Sequence, residues 1–332
     1  MIDVIMILSY IYKILNERHG IKSRTEATEY RKSCWNELES IFNSIDNFPD
    51  ITVLDIGASG GIHDTHPYRP FHDHDQLKYI GFEPHTESYN RLTDKYTNKE
   101  YRFFDQALYR EEATKTLYIT KNPVRSSIYE PNEGVLKTIG EEFRRRHTPK
   151  SVTDITTVDL DTISSRVNLP QVDAAYIDTQ GAEFDILSGG RESLTNCKII
   201  ELEMQVADIY DQAGNFHEVL ALTDQMGFEL LDLYYKRRGN DSIYHPIPAG
   251  EMTETGNGRI TQVFGLFVKN EINFDHFDLL RQLSILIAYG KVSHASYLVE
   301  EHGTVLSQEA MEVVRSALKS LQHPEDYIHT KF

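Results

Sequence analysis

Short apolar runs, separated by stretches with helical spacing, dominate the middle of the chain. From Ile51 onward the runs are ITVLDIG, LKYIGFEP, YRFFDQAL, VDAAYIDTQG and KIIELEMQ. Between the second and third runs, SYNRLTDKY places Tyr89, Leu92 and Tyr96 on one face of a helix. Strands that alternate with helices are typical of a mostly parallel sheet with helices on both faces. The pattern therefore predicts an α/β fold.

The pattern changes towards the end of this region. FHEVLALTDQMG has helical spacing and ends at Gly227, a common residue after a helix. FELLDLYYK and RITQVFGLFVKN then predict two strands joined by a polar segment, residues 237–258, and we expect a hairpin at one edge of the sheet. Helical spacing returns after Asn273. The predicted organisation is a helical lead-in over residues 1–50, a central domain over residues 51–270 and a C-terminal helical appendage over residues 271–332.

The first fifty residues are predicted to be helical, because Trp35, Leu38 and Ile41 recur at three-residue spacing. Their first part, MIDVIMILSYIYKIL, is apolar on all sides but shorter than the ~20 residues that span a bilayer. It also lacks the basic start and the cleavage site of a signal peptide. We expect a helix that packs on the central domain or on a protein partner, with peripheral attachment to a membrane as the alternative.

Charge and cysteine content narrow the choice of partners. The chain has 332 residues and a formal charge of -17, with 40% hydrophobic residues, as expected for a globular protein. Such acidity predicts that nucleic acid is not a substrate, because affinity for it is built mostly from Lys and Arg that neutralise phosphates. The two cysteines, Cys34 and Cys197, lie far apart and form no CxxC pair, which favours a reducing, cytoplasmic environment.

The first predicted strand ends in a glycine turn, DIGASGG, which could admit a ligand close to backbone amides. A phosphate-binding P-loop is excluded because no lysine follows Gly61. A dinucleotide fingerprint fits poorly, because Ser59 and Ile62 stand where glycines are needed. Asp55 favours another ligand, since its carboxylate would repel a pyrophosphate but attract the ammonium and sulfonium groups of S-adenosylmethionine.

The next two strand ends extend this candidate site. Glu83, in GFEP, lies where nucleotide-binding α/β folds place an acid for the ribose hydroxyls. It follows Asp55 by 28 residues (83 − 55), more than the usual ~20, and the histidine-rich segment between them accounts for the surplus. Helix capping is the simpler alternative for both acids. At the end of the third strand, Asp105, Gln106 and Ala107 could reach an adenine edge.

Together with a later segment, these motifs resemble those of the FkbM-type S-adenosylmethionine-dependent methyltransferases. The resemblance covers DIGASGG, GFEPH, DQAL and, most specifically, YIDTQGAEFDILSGG, which is similar to that family's IDxxGxExxxLxG signature. It implies a Rossmann-like, seven-stranded sheet whose last strand is antiparallel, and S-adenosyl-L-methionine as cofactor. Asp55, Gly57, Ser59 and Gly61 would hold the methionine end of the cofactor, and Glu83 its ribose. The family often has Asn in place of Ser59, and both residues can bond the backbone at a turn.

The full predicted cofactor site adds Ala58, Pro84, Asp105, Gln106, Ala107 and Asp178. The family suggests a hydroxyl acceptor on a sugar, glycan or other small metabolite, whose proton must leave during transfer. Asp178 and Glu203, at the ends of later strands, could act as base, bind the cofactor's ammonium or hold a divalent ion. With His63 they are the predicted catalytic residues. Glu183 opens the following helix and could instead serve only to bond turn amides.

Four histidines, at positions 63, 66, 72 and 74, follow the glycine turn in HDTHPYRPFHDHD. They could converge on a metal ion, but nothing in the pattern forces them together, and a Pro-containing loop lets them splay into solvent. The segment HPYRPF also resembles a family variant with a longer loop at this point. We therefore predict a loop at the mouth of the site, no metal, and acceptor contact by His63.

The insertion between the third and fourth runs contains Ser126, Ser127, Tyr129 and His147, which could also touch acceptor or cofactor. Its arginine run, residues 144–146, fits a solvated helix face more simply. The function predicted from the sequence is methylation of an acceptor oxygen. A methyltransferase-like binding module with an idle site is the alternative, and an NAD-linked enzyme is a weaker third.

Overall fold

The computed structural model describes residues 24–238, 260–270 and 273–321. Within these residues a central sheet contains β1 (Ile51–Ile56), β2 (Leu77–Phe82), β3 (Tyr101–Phe104), β7 (Ala174–Ile177), β8 (Ile199–Gln205), β9 (Phe228–Arg238) and β10 (Ile260–Lys269). A smaller sheet contains β4 (Ala107–Leu108), β5 (Ala113–Thr120) and β6 (Pro149–Val158). The apolar segment MIDVIMILSYIYKIL and most of the polar connection at 237–258 lie outside the described residues.

Helices precede, connect and follow these strands. They are α1 (Arg24–Ser44), α2 (Arg69–Asp73), α3 (Thr86–Lys95), α4 (Glu133–Ile139), α5 (Glu141–His147), α6 (Leu160–Val167), α7 (Glu183–Ser188), α8 (Phe216–Gln225), α9 (His276–Ala288), α10 (Val292–His302) and α11 (Gln308–Leu321). No helix of the described ranges is long and apolar enough to cross a membrane. Cys34 and Cys197 are both buried and free.

The strands of the central sheet lie in the order β3-β2-β1-β7-β8-β10-β9. β1 pairs in parallel with β2 and β7, whereas β10 is antiparallel to both β8 and β9. The predicted seven-stranded sheet with an antiparallel last strand is thereby confirmed, and the hairpin forms one edge with β9 outermost. The third strand, β3, ends at Phe104, directly before Asp105 as predicted. The structure adds a second, unpredicted strand in the same run, because Ala107 and Leu108 pair with β6 in the smaller sheet.

The two faces of the sheet bury separate cores, because successive side chains of a strand point to opposite faces. Ile51 and Val53 of β1 join the core beneath α1, α9, α10 and α11. Leu54 and Ile56 join the core beneath α6, α7 and α8. The Trp35 indole of α1 donates to the carbonyl of Ala288 in α9 at 3.1 Å. The helices before and after the sheet thus share one hydrophobic core with it.

A buried polar cluster ties α1 and α9 to the sheet. Arg31 of α1 donates to Glu201 Oε1 in β8 at 3.0 Å, and to the Tyr234 hydroxyl. The Tyr289 hydroxyl lies 2.9 Å from Glu201 Oε2 and 3.1 Å from the hydroxyl of Tyr68. All these side chains are buried, so the charge of the Glu201 carboxylate has to be balanced by the Arg31 guanidinium rather than by water.

Parallel register brings three strand ends together. Ile56 of β1 is level with Phe82 of β2 and with Ile177 of β7. Gly57 N donates to Phe82 O, and Asp178 N donates to Ile56 O, each at 3.0 Å. The residues that follow β1, β2 and β7 therefore meet at one edge, where open α/β sheets bind their ligands.

Candidate active site

A cleft of about 230 Å³ opens at this edge. Most of the residues predicted for the site line it, namely Asp55, Gly57, Ala58, Ser59, Gly61, His63, Glu83, Pro84, Gln106, Ala107 and Asp178. Its lining also contains residues not predicted, among them His66, Tyr176 and Gln180. Asp105 and Glu203 do not line the cleft.

The glycine turn is held against the end of β7. Gly57 has a φ of +87°, and a Cβ at this position would lie 2.3 Å from the carbonyl oxygen of Asp178. Gly61 has a φ of +56°, and its Cβ would lie 2.8 Å from the Tyr96 hydroxyl, which bonds the backbone of Ile62. Only glycine combines this backbone conformation with such close approach, so both positions shape the floor of the cleft.

Asp55 presents a carboxylate to the cleft although it is almost fully buried. Tyr79 donates its hydroxyl proton to Oδ2, and His66 Nε2 lies 3.5 Å from the same oxygen. The other oxygen, Oδ1, has no hydrogen-bond partner in the described part of the chain. A buried acceptor without a donor is costly, so this arrangement suits a ligand that brings a donor, best a cation.

His66 is a site residue that sequence reasoning missed. The segment predicted as a loop contains the short helix α2, and His66 points inward before it, 2% exposed. Its ring centroid lies 5.3 Å from that of Tyr176 and 5.6 Å from that of His63. His72 instead bonds the Tyr101 hydroxyl at 2.6 Å. Among the described residues, no group of three or more His, Cys, Asp or Glu side chains is placed to hold a metal ion.

Glu83 lies at the end of β2, close to Asp55. Its side chain accepts from His85 N at 2.8 Å, and burial raises the pKa of its carboxyl to about 7. Asp105, at the next strand end, is exposed and accepts from Gln106 Nε2 at 2.7 Å. The structure thus places Glu83, Gln106 and Ala107 around the cleft and leaves the side chain of Asp105 outside it.

Gln180 joins the two acids predicted to be catalytic. Its Nε2 donates to Asp178 Oδ1 at 2.6 Å and to Glu203 Oε2 at 2.7 Å, while Tyr210 donates to its Oε1 at 3.2 Å. Asp178 and Gln180 line the cleft, and the fully buried Glu203 lies behind them. Glu203 is thus connected to the cleft through its hydrogen bond with Gln180. Sequence reasoning overlooked Gln180 because it occupies an unspecified position of the signature.

Glu183 fixes the turn that carries these residues. Its carboxylate accepts from Thr179 N at 2.9 Å, from Thr179 Oγ1 at 3.1 Å and from Gly181 N at 2.9 Å. Burial raises the pKa of its carboxyl to about 7. These bonds correspond to the simpler alternative for Glu183, which is to bond the amides of the turn.

The insertion supplies one wall of the cleft. Ser126 and Ser127 both line it, and the Ser127 hydroxyl donates to the carbonyl of Gln180 at 2.7 Å. Tyr129 instead donates to Asp185. His147 is buried with its ring 4.1 Å from that of Phe143 and does not line the cleft.

The strand order and the cleft at the carboxyl ends define the Rossmann-like methyltransferase class of α/β fold. The family model of the methyltransferase FkbM domain matches residues 55–230, which is more than half of the chain. The chain belongs to the FkbM methyltransferase family. The resemblance noted in the sequence motifs is thereby confirmed.

Solved structures are similar only in their general arrangement. A Listeria monocytogenes protein proposed to be an S-adenosylmethionine-dependent methyltransferase is 10% identical, with a TM-score of 0.37, over 73% of this chain and 98% of that one. A chain from the complex of the Haloferax volcanii Trm112 methyltransferase activator with its proposed methyltransferase is 8% identical, with a TM-score of 0.32, over 75% and 95%. A point mutant of the Catenulisporales acidiphilia 16S rRNA (adenine(1408)-N(1))-methyltransferase is 12% identical, with a TM-score of 0.26, over 72% and 94%. No curated protein matches the chain in sequence.

Proposed function

We propose that this protein transfers a methyl group from S-adenosylmethionine to a hydroxyl oxygen of a sugar, glycan or other small metabolite. The observation that carries the proposal is the buried Asp55 carboxylate, whose Oδ1 has no donor in the described part of the chain and which lines the cleft. Membership of the FkbM methyltransferase family supports the same reaction class.

The residue types of the cleft are compatible with this cofactor, above all through their charge. Asp55 would bind its ammonium group, because a buried carboxylate attracts a cation and would repel the pyrophosphate of a dinucleotide. Glu83 would accept the ribose hydroxyls, and Gln106 and Ala107 would face the adenine. When bound, the cofactor supplies a methyl group already activated by the positive charge on sulfur.

The acceptor would enter on the side of Asp178 and His63. Gln180 holds the Asp178 carboxylate in one orientation through its 2.6 Å hydrogen bond. Fixed groups of this kind can align acceptor and methyl, and such positioning is worth up to ~7–11 kcal/mol, more than the ~10²- to 10⁴-fold that a base supplies. Asp178 would orient the acceptor hydroxyl and receive its proton.

Calorimetric titration of S-adenosylmethionine and of its demethylated product, S-adenosylhomocysteine, tests the cofactor. We expect binding to the wild-type protein and a loss of at least tenfold in affinity for Asp55→Asn, since a charged hydrogen bond contributes about 1.5–3 kcal/mol. Asp94→Asn is the matched control, because Asp94 is an exposed acid on the nearby helix α3. Equal affinity of all three proteins would refute the assignment of Asp55.

Transfer of a labelled methyl group into a small-molecule extract, followed by mass spectrometry of the product, tests the reaction. A product methylated on oxygen supports the proposal. Binding of the cofactor without transfer into any fraction would favour the alternative, a methyltransferase-like binding module with an idle site. Label on carbon or nitrogen would refute O-methylation while leaving the cofactor site intact.

A further inference from the structure

A basic hollow lies beside the cleft. It is lined by Lys121, Asn122, Arg125, Glu142, Arg145 and Arg146. Four cationic side chains and one carboxylate give it a formal charge of +3 (4 − 1), whereas the whole chain carries -17. Such a local reversal of sign on an acidic protein concentrates anions at this place.

The hollow and the cleft share one wall. In the short segment 121–126, Pro123, Val124 and Ser126 line the cleft, while Lys121 and Arg125 line the hollow. A ligand that occupied the cleft could therefore extend past this segment and place a substituent among the cations.

Hydrogen bonds connect the shared wall to the residues on the acceptor side of the cleft. Thr120 Oγ1 donates to the carbonyl of Asn122 at 2.6 Å, and Arg125 N donates to the same carbonyl at 3.0 Å. Ser127 donates to the carbonyl of Gln180, the residue that orients Asp178.

Two of the four cations keep their charge available. Arg145 and Arg146 both pair with the single carboxylate of Glu142, at 2.6 Å each. Neither Lys121 nor Arg125 forms an ion pair with any residue that the structure describes. Arg125 is half-buried, which strengthens its interaction with an anion compared with a fully exposed cation.

We propose that the methyl acceptor carries an anionic group, a carboxylate or a phosphate, which Lys121 and Arg125 bind while the acceptor hydroxyl enters the cleft. This inference rests on the proposed methyl transfer and specifies its substrate class. Guanidinium groups bind carboxylate and phosphate through paired hydrogen bonds, and a lysine adds a point charge. The reaction at the hydroxyl leaves the anionic group unchanged.

The test compares three forms of the full chain in the labelled-methyl assay, with the products separated by anion exchange. They are the wild type, Lys121→Gln/Arg125→Gln, and the matched control Lys137→Gln/Arg144→Gln. The control removes the same two charges from α4 and α5, where both cations pair with Glu133 and line neither cavity. Calorimetry with S-adenosylhomocysteine and thermal unfolding verify that each variant is folded and binds cofactor.

We expect the labelled product to be retained on the anion exchanger. The Lys121→Gln/Arg125→Gln variant should form roughly 10- to 100-fold less of it, the size expected for charge-assisted hydrogen bonds, with unchanged cofactor affinity and a normal control. Phosphatase treatment then distinguishes a phosphate from a carboxylate, because only a product that carries a phosphate is no longer retained on the anion exchanger.

If the labelled product is neutral and is not retained on the anion exchanger, the inference is refuted, although methyl transfer itself is supported. The same conclusion follows if both double variants lose the same amount of labelled product. If the wild-type protein binds the cofactor but labels no product, the proposed methyl transfer is contradicted, and the inference about the acceptor is refuted as well.

Discussion

Cofactor binding should depend on pH near neutrality through Glu83. Burial raises the pKa of this carboxyl from 4.5 to about 7. Ribose hydroxyls that donate to the carboxylate would favour its charged form and bring the pKa back towards 4.5. Below pH 7 binding would then release a proton, so the affinity should fall as the pH falls. Between pH 8 and pH 6 the affinity for the cofactor should fall about tenfold. The largest loss of binding free energy, for a pKa change from about 7 to 4.5, is roughly 3 kcal/mol.

Isothermal titration of S-adenosylhomocysteine between pH 5.5 and 8.5, repeated in buffers of different ionisation enthalpy, measures both affinity and proton release. Glu83→Gln keeps an acceptor oxygen but does not titrate, and Glu87→Gln, on the exposed face of α3, is the matched control. The ligand's own amino group titrates with all three proteins, so the difference between the curves isolates Glu83.

We expect the affinity for S-adenosylhomocysteine to fall more steeply with decreasing pH in the wild type and in Glu87→Gln than in Glu83→Gln. Parallel curves for wild type and Glu83→Gln would refute the reasoning, because the ribose would then not interact with the charged form of this carboxyl.

Three substitutions test the site and its support. Gly57→Ala should abolish cofactor binding in calorimetry, since its Cβ would lie 2.3 Å from the Asp178 carbonyl oxygen; retained affinity would show that the turn can move. Arg31→Met should lower the free energy of unfolding in urea by about 3–5 kcal/mol, because Glu201 stays buried without its cation; a loss below 1 kcal/mol would contradict this. In Glu183→Gln the stability should change less with pH. The pKa of Glu183 in the folded protein, about 7, exceeds its ordinary value of 4.5, so the wild type loses stability as the pH rises from 4.5 to 7. If the free energy of unfolding of Glu183→Gln changes with pH as steeply as that of the wild type, the prediction is contradicted.

The central sheet could be predicted because its strands are apolar runs buried on both faces. The smaller sheet could not be predicted from the sequence. β5, ATKTLYIT, and β6, PKSVTDITTV, mix Thr, Ser, Lys and Asp with few apolar residues, and β6 is mostly exposed. β4 is only two residues long, and no change of periodicity separates it from β3. Its pairing with β6 depends on contacts between residues about fifty positions apart.

The candidate site could be predicted as far as strand ends define it. Asp55, Glu83 and Asp178 were placed at one edge because parallel strands end together. Glu203 was also assigned to a strand end, but β8 continues to Gln205, so its carboxylate stays inside the sheet. His66 could not be distinguished from the other histidines of its segment, since only the fold brings it beside Asp55.

A crystal structure with S-adenosylhomocysteine bound tests the central claim most directly. The prediction is that the ammonium group of the ligand lies within about 3.2 Å of Asp55 Oδ1, with both ribose hydroxyls at Glu83. A ligand bound elsewhere, or one whose ammonium does not reach Asp55, would contradict the account.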